Sequence, residues 1–222
     1  MRSIRYFVNN LDRIAGYALQ HLVLIVIAVL IALVVWVGVG IAVRNHGRVA
    51  KSVLGIGSLI MAIPSVALYG ILVSIPGLGL SRQSAVVALV LYSMLPIVRN
   101  VYVALNEVDP AVLEAARGMG MPARRILYRV QLPLATPVIL AGVRVAIVMM
   151  VGIATLAVFI GERNLGVLIQ QGLVRTRSDM IIVGALIVSF FAVGIDFVFG
   201  KLEKHVVSPG IRADYSATED AS

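Results

Sequence analysis

Residues 14–43 read IAGYALQHLVLIVIAVLIALVVWVGVGIAV, thirty positions without one Asp, Glu, Lys or Arg. About 20 apolar residues, each rising roughly 1.5 Å along a helix, cross the hydrocarbon core of a bilayer. The run is therefore a membrane span, not a buried helix of a soluble domain. A second charge-free run of the same length, SVLGIGSLIMAIPSVALYGILVSIPGLGLS, occupies residues 52–81. Hydrophobic residues make up 60% of the 222 positions, well beyond the usage of soluble domains. Short alternating segments, the pattern of a membrane β-barrel, do not occur. The first apolar run starts too late and continues too long for a cleaved signal peptide.

Outward from these runs, the hydropathy pattern predicts an all-α, polytopic membrane protein with about five helices. They cover roughly Leu22–Val43, Val53–Ile75, Ser84–Val103, Pro137–Ile160 and Met180–Gly200. Pro64 and Pro96 should kink the second and third helices, and Pro76-Gly77-Leu78-Gly79-Leu80 reads as a tight surface turn. Residues 1–21 form an external amino-terminal segment in this reading, and residues 22–207 a single transmembrane domain. From 208 to 222 the chain is small, polar and partly acidic, and reads as a disordered end.

Basic residues set the orientation. With the amino terminus outside, the inner segments hold Arg44, Arg48, Lys51, Arg99, Arg117, Arg124, Arg125, Arg129, Lys201, Lys204 and Arg212. The outer segments hold Arg2, Arg5, Arg13, Arg82, Arg163, Arg175 and Arg177, seven against eleven with Arg144 set aside. This balance places the amino terminus outside and the loop at about 104–136 in the cytoplasm. The net charge of +8 follows from basic residues flanking spans, and no basic–aromatic run points to nucleic acid. Without cysteine, disulfides, thiolate metal sites and iron–sulfur clusters are excluded.

The cytoplasmic loop is a polar island. Asp109-Pro110 is a helix start, with Asp as N-cap and Pro where its missing N–H costs nothing. Ala111 to Arg117 are mostly good helix formers, and Gly118 and Gly120 supply the stop. Val112, Leu113 and Ala116 are spaced to form one small apolar face. Pro122 opens a second helix through Arg124, Arg125 and Arg129, expected to end at a Leu132-Pro133 break. A surface helix of this kind either anchors between spans or docks onto another protein.

The spacing decides between them. Glu114-Ala115-Ala116, then Gly120, then Val130-Gln131-Leu132-Pro133 resembles the "EAA" loop of permease subunits of binding-protein-dependent ABC importers. Only Val130 departs, standing where Ile is usual. Met61-Ala62-Ile63-Pro64-Ser65, Ile75-Pro76-Gly77-Leu78-Gly79 and Tyr92-Ser93-Met94-Leu95-Pro96 are most similar to the glycine betaine, choline and carnitine branch.

The resemblance implies a type I importer permease fold, like that of methionine-importer permeases, in a bacterial or archaeal cell (inner) membrane. It implies a non-enzymatic translocation subunit with several partners. These are a cytoplasmic ATP-binding subunit, a second permease subunit (identical or paralogous) and an extracytoplasmic solute-binding protein. Glu114, Ala115, Ala116, Gly120, Leu132 and Pro133 would then couple the chain to the ATPase. The chain itself has no Gly-x-x-x-x-Gly-Lys-Ser/Thr cradle, so ATP is expected on the partner and no cofactor on this chain. Alternatives are the same machine for methionine or another amino acid, and a secondary transporter, which would show more spans and an inverted repeat.

Relatives commonly carry a Gly-Ala-Gly-Gly-Leu-Gly type run beyond the fourth span, where this chain has Gly161-Glu162-Arg163-Asn164-Leu165-Gly166. A solvated turn is the preferred reading of the inserted charges, with altered binding-protein docking as the other. Arg144 and Asp196 are charges inside spans, expected to pair with each other or, for Arg144, to snorkel to the interface. A membrane enzyme would need more facing ionisable groups than these two. Trp36, Tyr69, Tyr92 and Tyr102 could form a cation–π cage for a quaternary ammonium or simply pack between helices. His21, His46 and His205 lie too far apart for an evident metal site.

Overall fold

The computed structural model of the chain describes the backbone of residues 2–206 and the side chains of residues 3–201. The polar tail from Ser208 to Ser222 lies outside the described residues. The described elements are all helical: α1 (Arg2–Asn9), α2 (Leu11–Val43), α3 (Gly47–Ala62), α4 (Ser65–Val73) and α5 (Arg82–Asn106). Then follow α6 (Pro110–Gly118), α7 (Ala123–Ile160), α8 (Gly166–Val174) and α9 (Ser178–Val206). Helices α2, α5, α7 and α9 are each long and apolar enough to cross a bilayer, while α3 and α4 meet at 98° as one broken span.

The expected start of the first span differs from the observed helix. The first span begins at Leu11 instead of Leu22, because the polar residues of 11–21 still sit among helix formers and the amphipathic α1 precedes them. Tyr6 of α1 packs with Ile14, Leu165, Leu168 and Val183, so the amino-terminal segment is tied to the start of α9.

The two prolines behave differently. At Pro64 the chain leaves the helix, with Ile63 and Pro64 both extended (ψ 128° and 133°), the conformation that proline imposes on itself and its predecessor. Helix α3 alone is about 24 Å long, short of the roughly 30 Å core, so α4 turns across its end. At Pro96, by contrast, α5 continues unbroken. Packing accounts for the difference. Of the residues in the apolar stretch of α5, 56% are buried, against 11% for α9, so α5 is the central post and its neighbours can satisfy the backbone groups freed at Pro96.

Helices α2, α3 and α7 close on that post. Leu89, Val98 and Val101 of α5 and Ala146, Met150 and Ala154 of α7 are fully enclosed. Gly142 lets α7 approach α5 closely, since a Cβ there would stand 2.4 Å from the Cβ of Asn100. Outside, Val34, Leu59, Phe190 and Val193 are exposed by 65–79%, the surface expected of helices that face lipid.

Candidate functional site

Helix α6 follows the end of α5 that lies beside the Arg44–His46 turn between α2 and α3, where Asn106 donates to the Arg44 carbonyl. Its start is built as the residues dictate: Asp109 accepts from the Ala111 N–H at 2.8 Å, and Pro110 takes the first helical position. Its end is closed by paired bonds, Met121 N–H to Ala116 and Gly120 N–H to Arg117, with Gly120 at φ +76°. This is a Schellman closure, and glycine avoids the Cβ penalty there.

Ala116 is buried, Leu113 half-buried, and Val108 before the helix is buried, so this face fastens α6 to the helix bundle. Glu114, Ala115, Gly118 and Gly120 are exposed, as are Val112 (41%) and Met119 (74%). Val112 thus leaves the apolar face expected from spacing. With Ala115 and Met119 it forms an exposed apolar stripe that borders the buried Ala116. Arg117, Arg124, Arg125 and Arg129 are all exposed, Arg124 standing 5.9 Å from the centre of the Tyr128 ring.

The expected break at Leu132-Pro133 is corrected: α7 is continuous from Ala123 to Ile160. A π-helical turn at Leu127–Gln131 precedes Pro133 and changes the hydrogen-bond register where proline lacks its N–H. The Thr136 hydroxyl also donates to the Leu132 carbonyl at 2.7 Å. Leu132 and Pro133 consequently sit within the first part of a long helix, not in a loop.

Arg144 on α7 and Asp196 on α9 face each other. The guanidinium donates twice, Nε to Oδ1 at 2.5 Å and Nη2 to Oδ2 at 2.6 Å. Both side chains remain about a third exposed, at 39% and 34%. Such a bidentate fork is the strongest geometry for a carboxylate–arginine pair. It joins the outermost span to the core helix.

The aromatic residues are used inside the chain. Trp36 Nε1–H donates to Val90 at 2.6 Å, the Tyr69 hydroxyl to Ile153 at 3.2 Å, and the Tyr92 hydroxyl to Ile63 at 2.5 Å. Tyr69 and Tyr92 are buried, so these rings serve packing and carbonyl satisfaction instead of forming an open cage. His21 is buried edge-on to Phe191, with ring centroids 5.4 Å apart.

At the opposite end of the bundle, Glu162 departs from the solvated turn preferred on sequence. Only 7% exposed, it accepts from Arg82 Nε at 2.8 Å, and Arg82 Nη2 reaches Gln20 on α2 at 2.5 Å. Arg163 alone of the two inserted charges is exposed. Asn164 fixes the turn, donating to Ala154 and accepting from the Gly166 N–H at 2.7 Å. Gln20 and Arg82 escaped sequence reading because 62 residues separate them and no spacing links either to Glu162. Nearby, Arg177 stacks over Tyr6 and is paired with Asp179, whose carboxylate raises the arginine's pKa above its ordinary value.

Comparison with known proteins places this architecture. The osmoprotectant import permease protein OsmW of Salmonella typhimurium is 38% identical over 215 residues, 96% of this chain and all of the relative. The glycine betaine/carnitine/choline transport system permease protein OpuCB of Bacillus subtilis is 37% identical, with 87% of this chain and 88% of the relative covered. Among solved structures, an inward facing MetNI methionine ABC transporter matches with a TM-score of 0.79 at 21% identity, covering 90% of this chain and 99% of that one. The described helices therefore have the fold of that permease. Residues 34–208 match the family described as the binding-protein-dependent transport system inner membrane component. The chain belongs to that family: it is a multi-span inner-membrane permease of a binding-protein-dependent transporter, a transport component and not an enzyme.

Proposed function

We propose that this chain is the translocation subunit of an ATP-driven importer of osmoprotectants, small quaternary ammonium solutes such as glycine betaine, choline or carnitine. The observation that carries the solute class is the full-length likeness to the osmoprotectant permease OsmW. The likeness to OpuCB favours the same class over an amino acid. Methionine remains the second reading, because the fold is shared with the methionine transporter MetNI.

In this reading a separate cytoplasmic ATPase binds and hydrolyses the nucleotide, and α6 docks into it. The exposed Val112, Ala115 and Met119 stripe enters a cleft of the ATPase, and Glu114 and the arginines steer the approach. Ala116 and Leu113 transmit movement to the bundle, since a packed helix displaces as a body. Leu132 and Pro133 carry that displacement into α7. A second permease subunit completes the pathway, and an extracytoplasmic binding protein delivers the solute. The excess of basic residues at the α6 end supports a cytoplasmic position for it.

The test is uptake by the complete transporter in proteoliposomes, supplied in turn with radiolabelled glycine betaine, choline, carnitine and methionine. ATP-dependent uptake of a quaternary ammonium solute supports the proposal. Uptake of methionine alone would replace the solute class and leave the permease role standing.

A further inference from the structure

We infer that Arg82 and Glu162 form a latch across the outer mouth of the pathway, closed in this conformation and parted when the mouth opens. This rests on the importer reading, which requires one end of the bundle to open towards the binding protein. The latch lies at the end opposite α6.

Three polar anchors hold the outer arm of the broken span. Where α4 begins, the Tyr92 hydroxyl of α5 binds the Ile63 carbonyl at 2.5 Å. Along α4, the Tyr69 hydroxyl binds the Ile153 carbonyl of α7 at 3.2 Å. Beyond α4, the chain turns back to Arg82, which grips Glu162 just past the end of α7. The turn leading there is itself pinned, Ser81 donating to Leu78 and Ser84 to Gly79, each at 2.6 Å. The chain thus closes a ring: α4, its turn, Arg82, Glu162, the end of α7, and α4 again.

The first two anchors are neutral and end on backbone carbonyls. Arg82–Glu162 is the charged closure, and it alone recruits a third span through Gln20 of α2. Glu162 is buried at 7% exposure while Arg82 is 39% exposed, so water can reach the arginine before it reaches the carboxylate. A buried carboxylate loses stabilisation sharply without its partner unless water replaces it. The pair therefore favours two arrangements, joined and dry or parted and wet, as a bistable closure requires. Arg82 and Glu162 are positioning residues here and need not touch solute.

The chain has no cysteine, which makes a paired thiol probe specific within it. Arg82→Cys/Glu162→Cys is assembled with its ATPase in proteoliposomes and treated with a bis-methanethiosulfonate long enough to bridge the former ion pair. Cross-linking is scored without nucleotide and after trapping with ATP and vanadate in the presence of binding protein. The latch predicts a yield that falls roughly fivefold or more in the trapped complex. An unchanged yield overturns it.

Where the double variant does not assemble, Glu162→Gln keeps the side-chain shape and removes the charge. Its ATPase rate without binding protein should rise roughly fivefold relative to wild type. A loss of stability alone would not raise that rate, so an unchanged or lowered rate overturns the latch. Neither readout uses solute, so an error in the solute class leaves both intact. Failure of the wild-type chain to assemble with any ATPase would instead overturn the importer reading.

Discussion

The Tyr92 hydroxyl donates to the carbonyl of Ile63, the residue at which Pro64 turns α3 out of its helix. Helical carbonyls near such a break lose their i+4 donors, and lipid supplies none. Tyr92 is 4% exposed and crosses from the central post to satisfy one of them.

Tyr92→Phe should therefore leave a buried acceptor unpaired at a cost of about 1–2 kcal/mol. Thermal unfolding of the purified complex should shift down by a few degrees, on the order of 2–4 °C per kcal/mol. The solute KM should stay at the wild-type value, because the hydroxyl is occupied inside the chain. A rise in KM without loss of stability would return Tyr92 to the role of a cation-cage residue.

Arg144 and Asp196 call for a double-mutant cycle, since they touch by both forks. Arg144→Ala removes the fork from the Asp196 carboxylate, whereas Asp196→Ala leaves a guanidinium with a longer stem with which to reach water. The arginine substitution should be the more damaging of the two. Because each side chain is about a third exposed, solvent screens the pair, and the coupling should be weaker than that of a fully buried fork. The double variant should recover part of the assembly yield lost by Arg144→Ala. Additive losses would show that the fork contributes nothing beyond its separate side chains.

These features were legible in the sequence to unequal degrees. The ends of α6 were readable because Asp109, Pro110 and Gly120 act on their own backbone within a few residues. A disturbance at Pro64 was also local, but its 98° extent depended on where α4 could pack. Pro96 has the same covalent chemistry and leaves its helix intact, because burial of α5 overrides local preference. The Arg82–Glu162 pair spans 80 residues and depends on how two helix ends meet, so only the fold could reveal it. Arg144 and Asp196 could be suspected of pairing because charges within apolar runs are few. Their bidentate fit could not be read.

Gly166 offers a test of the turn beyond α7. A Cβ there would lie 1.9 Å from the Thr155 carbonyl oxygen and 2.8 Å from Asn164 Oδ1. Neither atom can retreat easily: one is backbone, and the other already accepts from the Gly166 N–H. Gly166→Ala should destabilise the chain by about 1–3 kcal/mol or more, the range for overpacking a tight site. Lower yield and earlier thermal unfolding of the assembled complex would measure it. Wild-type stability would mean that the turn has more freedom than its contacts indicate.

Helix α6 permits a separation of folding from docking. Val112 and Met119 are exposed on one stripe, while Ala116, bordering that stripe one turn on from Val112, is buried. Placing a carboxylate on the stripe, as Val112→Glu or Met119→Glu, should change the chain's own stability by no more than about 0.5 kcal/mol. The same substitutions should abolish co-purification of the ATPase, because an apolar contact centre tolerates an unpaired charge poorly. Ala116→Glu, which puts the charge against the bundle, should instead reduce the amount of folded permease. Detergent-extracted yield and ATPase recovery, measured on the same samples, separate the two effects. If Met119→Glu retained the ATPase at wild-type stoichiometry, the docking stripe would have to lie elsewhere on the loop.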